Sequence, residues 1–294
     1  MNLSEEKKRV QRYYKASTDD YLKYYATAKH HHMHYGFSRN LPSRNDYPKG
    51  HPMLSPTGNL VRYLAQKAQI SKGTRVLDAG CGVGGSSILL AKEFESLGVG
   101  LNFVTLQLDY AKKFAQKANV SQQLQWVCSD FHHTPFPNNS FDVVWAVESF
   151  CHSGHKKEWV REMFRVLKPG GRLIIADGFQ SDLQTKNIWL NFCYKWLLKG
   201  WALPHLSKGC DTQNWFKEAG FANVECEDIS EDVIFHAFKI YRFSFIFVPI
   251  RWLLKSIKLG SSEKLGNALA TLGQYPSLKA KMWFYEIHLG TKPQ

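Results

Sequence analysis

The stretch Val76-Leu77-Asp78-Ala79-Gly80-Cys81-Gly82-Val83-Gly84-Gly85 constrains this chain more than any other. A short apolar run ends in an acid, then in alternating glycines, and passes into Ile88-Leu89-Leu90. That order reads as a buried strand, a tight turn and the start of a helix. Glycines at 80, 82 and 84 let the backbone turn sharply and approach a ligand where a Cβ would collide. Gly80, Gly82 and Gly85 also satisfy the G-x-G-x-x-G dinucleotide pattern. Asp78 separates the two readings, because an acid there repels a pyrophosphate and favours a cationic ligand end.

Around this loop, apolar strands are expected at 75–78, 98–104, 124–128, 142–147 and 172–176, and helices at 85–95, 107–118 and 156–167. Lys168-Pro169-Gly170-Gly171 is expected to break the chain before the last of these strands. Such alternation predicts an α/β, Rossmann-like, doubly wound and mostly parallel sheet covered on both faces. Ser55–Gln69 reads as a further helix and Arg39–Pro52 as a loop. The rhythm changes after Asp177, where Trp189, Phe192, Cys193, Trp196 and Leu197 repeat at helical spacing. A helix at 211–219, a strand near 222–228 and a last strand from Trp283 to Leu289 follow. The expected organisation is an N-terminal helical lid over 1–54 and one domain over 55–294, with a helical cap inserted after strand five at about 178–259.

Composition narrows the class. The 294 residues are 44% hydrophobic and 21% charged, which excludes a disordered or fibrous chain. Six cysteines without a C-x-x-C pair read as a reduced, cytoplasmic protein, with no metal site expected. No apolar run approaches the ~18–20 residues of a membrane span, the longest being Phe243–Ile250 between Arg242 and Arg251. The N-terminus, with Glu5, Glu6, Lys7, Lys8 and Arg9, lacks a secretory signal. A net charge of +13 suits nucleic acid, anionic lipid or an acidic substrate.

Val76–Gly85 resembles motif I of the class I S-adenosylmethionine (SAM) methyltransferases, and later segments agree with that family in order and spacing. The resemblance implies a seven-stranded sheet and SAM as cofactor. It puts Asp78, Gly80, Gly82 and Gly84 at the amino-acid end of SAM and Asn102 at the ribose, with Gln107 beside it. Asp130 then takes the adenine amino group and Phe131 packs the ring, while Glu148, after strand four, is a further cofactor-binding candidate. Arg165–Gly171 fits the turn before strand five. Phe141–His152 with Ile174–Asp177 is similar to the branch that methylates small molecules such as tocopherols and quinones, sterols and natural-product sugars. His34-Tyr35-Gly36 resembles that branch's lid, which makes Tyr35 the candidate to close over SAM, with Tyr14 or Tyr25 as weaker ones. In the sugar-modifying members a His and an Asp act as base and partner, which carries over to His152 and Asp177.

The implied function is methyl transfer from SAM to a small, lipophilic or ring-bearing acceptor, with O-, C- and N-methylation all open. An RNA methyltransferase and a nicotinamide-dependent oxidoreductase are the alternatives. No RNA-binding module is recognisable, so no nucleic-acid partner is expected. His30, His31, His32 and His34 read as a lid-associated cluster rather than a metal site. Ile250, Leu253, Leu254 and Ile257 oppose Arg251, Lys255 and Lys258 on one helix. Residues 250–258 therefore read either as a peripheral contact with an anionic membrane or as a cap helix packed on the core.

Overall fold

A computed structural model describes residues 3–25, 31–39, 55–183 and 185–294. The expected 39–52 loop, apart from Arg39, His30 and the side chain of Tyr25 lie outside the described residues. Helix α1 (Leu3–Asp20) runs on into a π-helical turn, Tyr21–Tyr25. Then follow α2 (Pro56–Lys67), β1 (Arg75–Ala79), α3 (Gly85–Phe94), β2 (Leu97–Asn102), α4 (Thr105–Lys117), β3 (Leu124–Cys128) and β4 (Phe141–Val147). The second half comprises α5 (Lys156–Val166), β5 (Leu167–Gln180), α6 (Ile188–Gly200), α7 (Gly209–Ala219), β6 (Ala222–Asp228), α8 (Ser230–Ser256), α9 (Ser262–Lys279) and β7 (Trp283–Thr291).

The seven strands form one sheet in the order β3-β2-β1-β4-β5-β7-β6. β1 through β5 pair in parallel, and β7 runs antiparallel between β5 and β6. Successive strand residues point to opposite faces, so the sheet feeds two cores. Val76, Trp145 and Ile174 pack with Leu60, Trp283 and Tyr285 on one face. Leu77, Val144 and Ile175 pack with Trp159, Phe179 and Phe216 on the other. Both faces are covered, which is why the parallel strands read as unbroken apolar runs.

Local chemistry fixes the element ends. Ser55 caps α2, its hydroxyl accepting from the Gly58 amide at 3.3 Å, with Pro56 in the first turn. Gly220, at φ 104°, closes α7 in the left-handed conformation.

Three expectations change. Lys168–Gly171 does not break the chain before β5 but lies within it, absorbed by a register shift opposite Phe141 and Val143. The 178–259 stretch is not one cap, because α7 and β6 inside it belong to the sheet layer. The cap is split into α6 before them and α8–α9 after. Residues 236–256 belong to one 27-residue helix that continues through Pro249. An 18-residue window of α8 has a mean hydropathy of 1.5, long and apolar enough for a membrane span, and 17% of that window is buried. The interrupting arginines hid this length in the linear sequence.

The cap elements close on one another and on α1. At the α6–α9 crossing, a Cβ on Gly200 would strike the Gly266 carbonyl, and one on Gly273 would strike that of Cys193. Tyr13 of α1 donates to the Asn267 side chain of α9 at 3.0 Å. Asp20, at the end of α1, pairs with Arg251 of α8 at 2.7 Å, both side chains being largely buried.

Candidate functional site

The carboxyl ends of β1, β2, β4 and β5 open beneath α1 and the cap, where ligands of open α/β sheets bind. Two cavities lie there, of about 740 and 910 Å³. The first is lined by the glycine loop, Asp78, Asn102, Gln107 and Phe131. The second is aromatic, with Tyr13, Tyr21, Tyr35, Trp201, Trp283 and Tyr285, and also contains Asp177. Tyr14, His32, Met33, His34, Glu148 and His152 line both and form their common wall.

In the first cavity, Asp78 ends β1 and accepts the Ser87 hydroxyl at 2.5 Å. Burial raises its pKa to about 7, against the pull of Ser87. Asn102 donates to Gln107 Oε1 at 2.8 Å and accepts the Val104 amide at 3.0 Å. The Gln107 amide reaches Thr18 of α1 at 3.2 Å, tying the lid helix to β2.

The glycines divide the work differently from expectation. A Cβ on Gly80, at φ 104°, would collide with Ser149 rather than with a ligand, and one on Gly84 would collide with Trp126. Gly82 faces the cavity, with Met33 Sδ 3.7 Å from its Cβ position. Gly84 is thus a packing residue behind the loop.

Asp130 and Tyr35 also depart from expectation. The Asp130 carboxylate is held by Lys7 of α1 and by His132 Nδ1 at 2.9 Å, and it does not line the cavity. Burial would raise its pKa, but the His132 and Lys7 hydrogen bonds outweigh that and hold it below the usual carboxylate range. Tyr35 lines the second cavity, its hydroxyl donating to Gln274 at 2.6 Å.

Glu148 follows β4 at φ 50°. Its Oε1 accepts from the Tyr35 amide at 2.7 Å and the Tyr285 hydroxyl at 2.9 Å. Burial raises its pKa to about 8 and nearby Asp177 adds to the rise, while the two donors oppose it.

His152 and Asp177 do not form the expected hydrogen-bonded pair. Asp177 accepts the Cys151 amide at 2.9 Å and the Gly178 amide at 2.8 Å, so both its oxygens serve the backbone. His152 Nε2 lies 2.8 Å from the Tyr14 hydroxyl instead. Burial lowers the His152 pKa to about 3, helped by the charges of Lys156 and Arg9. Asp177 is pushed up by burial, and Tyr14 well up for the same reason.

One wall residue escaped the reading of the sequence. His34 Nδ1 lies 2.9 Å from the Tyr35 carbonyl, which only accepts, so Nδ1 carries the proton and Nε2 the lone pair. Among the described residues, that Nε2 is buried without a hydrogen-bond partner. Its place in the run of histidines and in the lid-like His34-Tyr35-Gly36 segment hinted at a position near the site, not at a proton acceptor.

Residues 77–175 match the family described as methyltransferase domain. The chain is 32% identical over 203 residues to methyltransferase GfsG of Streptomyces halstedii, covering 68% of this chain and 69% of that protein. The chain belongs to the SAM-dependent methyltransferases. It is also similar to the sterol 24-C-methyltransferase of Aspergillus fumigatus, at 31% identity over 225 residues, covering 74% of this chain and 55% of the relative. The chain thus spans about half the length of the sterol methyltransferases it matches. The [4+2]-cyclase SpnF shares the fold, with a TM-score of 0.73 at 20% identity over 97% of this chain and 95% of that one. The cofactor of this methyltransferase family is SAM. The first cavity suits it chemically, offering buried carboxylates for a cation, amides for hydroxyls and the Phe131 ring for a base.

Proposed function

We propose that this methyltransferase alkylates a carbon of a lipophilic, unsaturated acceptor. The wall shared by two cavities carries the reading, since it brings a polar cofactor chamber and an aromatic acceptor chamber into contact. Similarity to sterol 24-C-methyltransferases supports an acceptor of that class.

Asp78 would hold the amino group of SAM, Asn102 and Gln107 the ribose, and Phe131 the adenine ring. Asp130 would have to release Lys7 before taking part, and it has no role in this reading. When bound, SAM supplies a methyl group on a positively charged sulfur. Methylation of an alkene leaves positive charge on the acceptor. The faces of Tyr14, Tyr35, Trp201 and Trp283 and the carboxylates of Glu148 and Asp177 suit such a charge. His34 Nε2, with its free lone pair, would take the departing proton, its pKa lowered by burial to about 4. His152 is poorly placed as a base for an alcohol, because Nε2 faces Tyr14 and its pKa is about 3. Tyr35, Asp177, Trp283 and Tyr285 are buried, which limits water on the acceptor side of the transfer.

The test is incubation with SAM carrying a deuterated methyl group, offering an isoprenoid alkene and its hydroxylated analogue together. Label on carbon is the expected result. Label found on oxygen alone overturns the carbon assignment.

We infer further that α8 lies on an anionic membrane surface. Phe235, Phe243, Phe245, Ile246, Trp252 and Leu253 of this helix are each more than half exposed. A contiguous apolar face of this size on a monomer marks a contact surface. Lys239 and Arg242 fall within that face and would meet lipid headgroups. Arg251 and Lys255 share the opposite side with buried Val233, Ala237 and Ser244. Of the three charges that suggested a membrane-facing row, Arg251 is turned to the protein and spent on Asp20, while Lys255 is exposed on that same side and Lys258 is exposed beyond the end of α8.

A further inference from the structure

We propose that Cys226, Glu286 and His288 form a zinc site on the outer half of the sheet, away from both cavities. Cys226 of β6 is the direct cross-strand partner of His288 of β7. Glu286 precedes His288 by two residues and so shares its face of the strand. The three side chains therefore converge by register alone, on the α7 side of the sheet, where the His288 ring packs against Phe179 with centroids 4.4 Å apart.

The distances suit a small tetrahedral ion. Cys226 Sγ lies 3.6 Å from His288 Nε2 and 3.6 Å from Glu286 Oε2. With zinc–sulfur bonds of about 2.3 Å and zinc–nitrogen or –oxygen bonds of about 2.0–2.1 Å, a tetrahedral angle separates such donors by roughly 3.5 Å. Glu286 Oε2 and His288 Nε2 stand closer, at 2.8 Å, joined by a hydrogen bond that an ion would replace. His288 is fully buried and anchors the ring, whereas Cys226 is exposed and leaves an entry path and a fourth position for water. A thiolate, an imidazole and a carboxylate form a mixed donor set that favours zinc over magnesium or calcium. The cysteine and the other two donors are about 60 residues apart in sequence, a spacing outside the usual paired-cysteine signatures.

The full chain, stripped of metal and kept reduced, is titrated with cobalt(II) as a spectroscopic probe and then with zinc. Saturation at one ion per chain is expected, with a thiolate-to-cobalt charge-transfer band that zinc abolishes. The exposed Cys226→Ser variant should lose the band and bind zinc at least tenfold more weakly, while Cys128→Ser keeps both. Glu286→Gln should weaken zinc while the band persists at higher cobalt. A thermal melt without metal checks that each variant folds. Absence of the band in the wild type, or its persistence in Cys226→Ser, overturns the site. Binding through the lid histidines alone gives no thiolate band and counts against it equally.

Discussion

The Tyr14 hydroxyl and His152 Nε2 meet at 2.8 Å across 138 residues of sequence, joining the lid helix to the end of β4. Tyr14 lines both cavities, so this contact shuts the wall on its α1 side. Removing the hydroxyl leaves a buried nitrogen unpaired, at a cost of about 1–3 kcal/mol. Tyr14→Phe should lower kcat about tenfold to a hundredfold while SAM affinity by calorimetry stays within about twofold. A variant with wild-type kcat would show that the contact plays no part in turnover.

His34 gives a second kinetic prediction. Loss of a proton acceptor costs about 10²–10⁴-fold in rate. His34→Ala should show such a fall in kcat, and His34→Gln, whose carbonyl accepts but cannot take a proton, should not restore it. SAM binding should survive in both. Full activity in His34→Gln would reduce the residue to a hydrogen-bonding role.

In the proposed reading, Asp78 at the SAM amino group and Glu148 on the wall shared with the cofactor cavity are expected to make SAM binding pH-dependent. Burial raises them to about 7 and about 8, so without ligand both carry protons in the acid part of the neutral range. A cationic ligand favours the ionised forms, so affinity should rise between pH 6.5 and 8.5, with proton release visible as buffer-dependent calorimetric heats. Stability without ligand runs the other way. Both groups are raised above their unfolded values, so their contribution is complete below about pH 4 and is lost progressively as pH rises to about 7 for Asp78 and about 8 for Glu148. The melting temperature should fall across that window, less steeply in Glu148→Gln. The buried histidines His34 and His152, lowered to about 4 and about 3, raise stability with pH only up to about 6.5 and so offset the carboxyls there, which leaves the net fall visible mainly between about pH 6.5 and 8.

The α8 surface yields opposite outcomes for residues on one helix. Phe245→Ser, Ile246→Ser and Trp252→Ser together should weaken binding to anionic vesicles at least tenfold with little change in melting temperature, since all three are exposed. Lys239→Gln and Arg242→Gln should each cost about 1 kcal/mol of vesicle binding at low salt. Arg251→Gln should instead destabilise the fold, by about 1–3 kcal/mol, because it leaves the largely buried Asp20 with only the longer contact to Lys264 at 3.7 Å. Wild-type protein that remains unbound at low salt would remove the membrane from the reading.

Much of the parallel half was legible because its signals are local. The glycine loop, the apolar strands and the Phe131 and Asn102 positions each follow from a few adjacent residues. The remainder depends on contacts between distant segments. Nothing near Asp130 in sequence announces Lys7, and nothing near His152 announces Tyr14. His152 lies in the turn after β4 and Asp177 near the carboxyl end of β5, on the same sheet edge, yet backbone amides at Cys151 and Gly178 claim the carboxylate first. For α8, Arg251 broke the apolar run in the linear pattern, and its ion pair with Asp20 became visible only once the helix had a neighbour.

The α6–α9 crossing sets a limit on which acceptors this scaffold can ever accept. Leu197 and Thr271, from the two helices, line the larger cavity, while Gly200 and Gly273 hold the helices at backbone contact. Exchanging lining residues can reshape the chamber but cannot change its span, which is a main-chain dimension. A shift to a bulkier class of acceptor would have to begin at glycines that touch no acceptor at all.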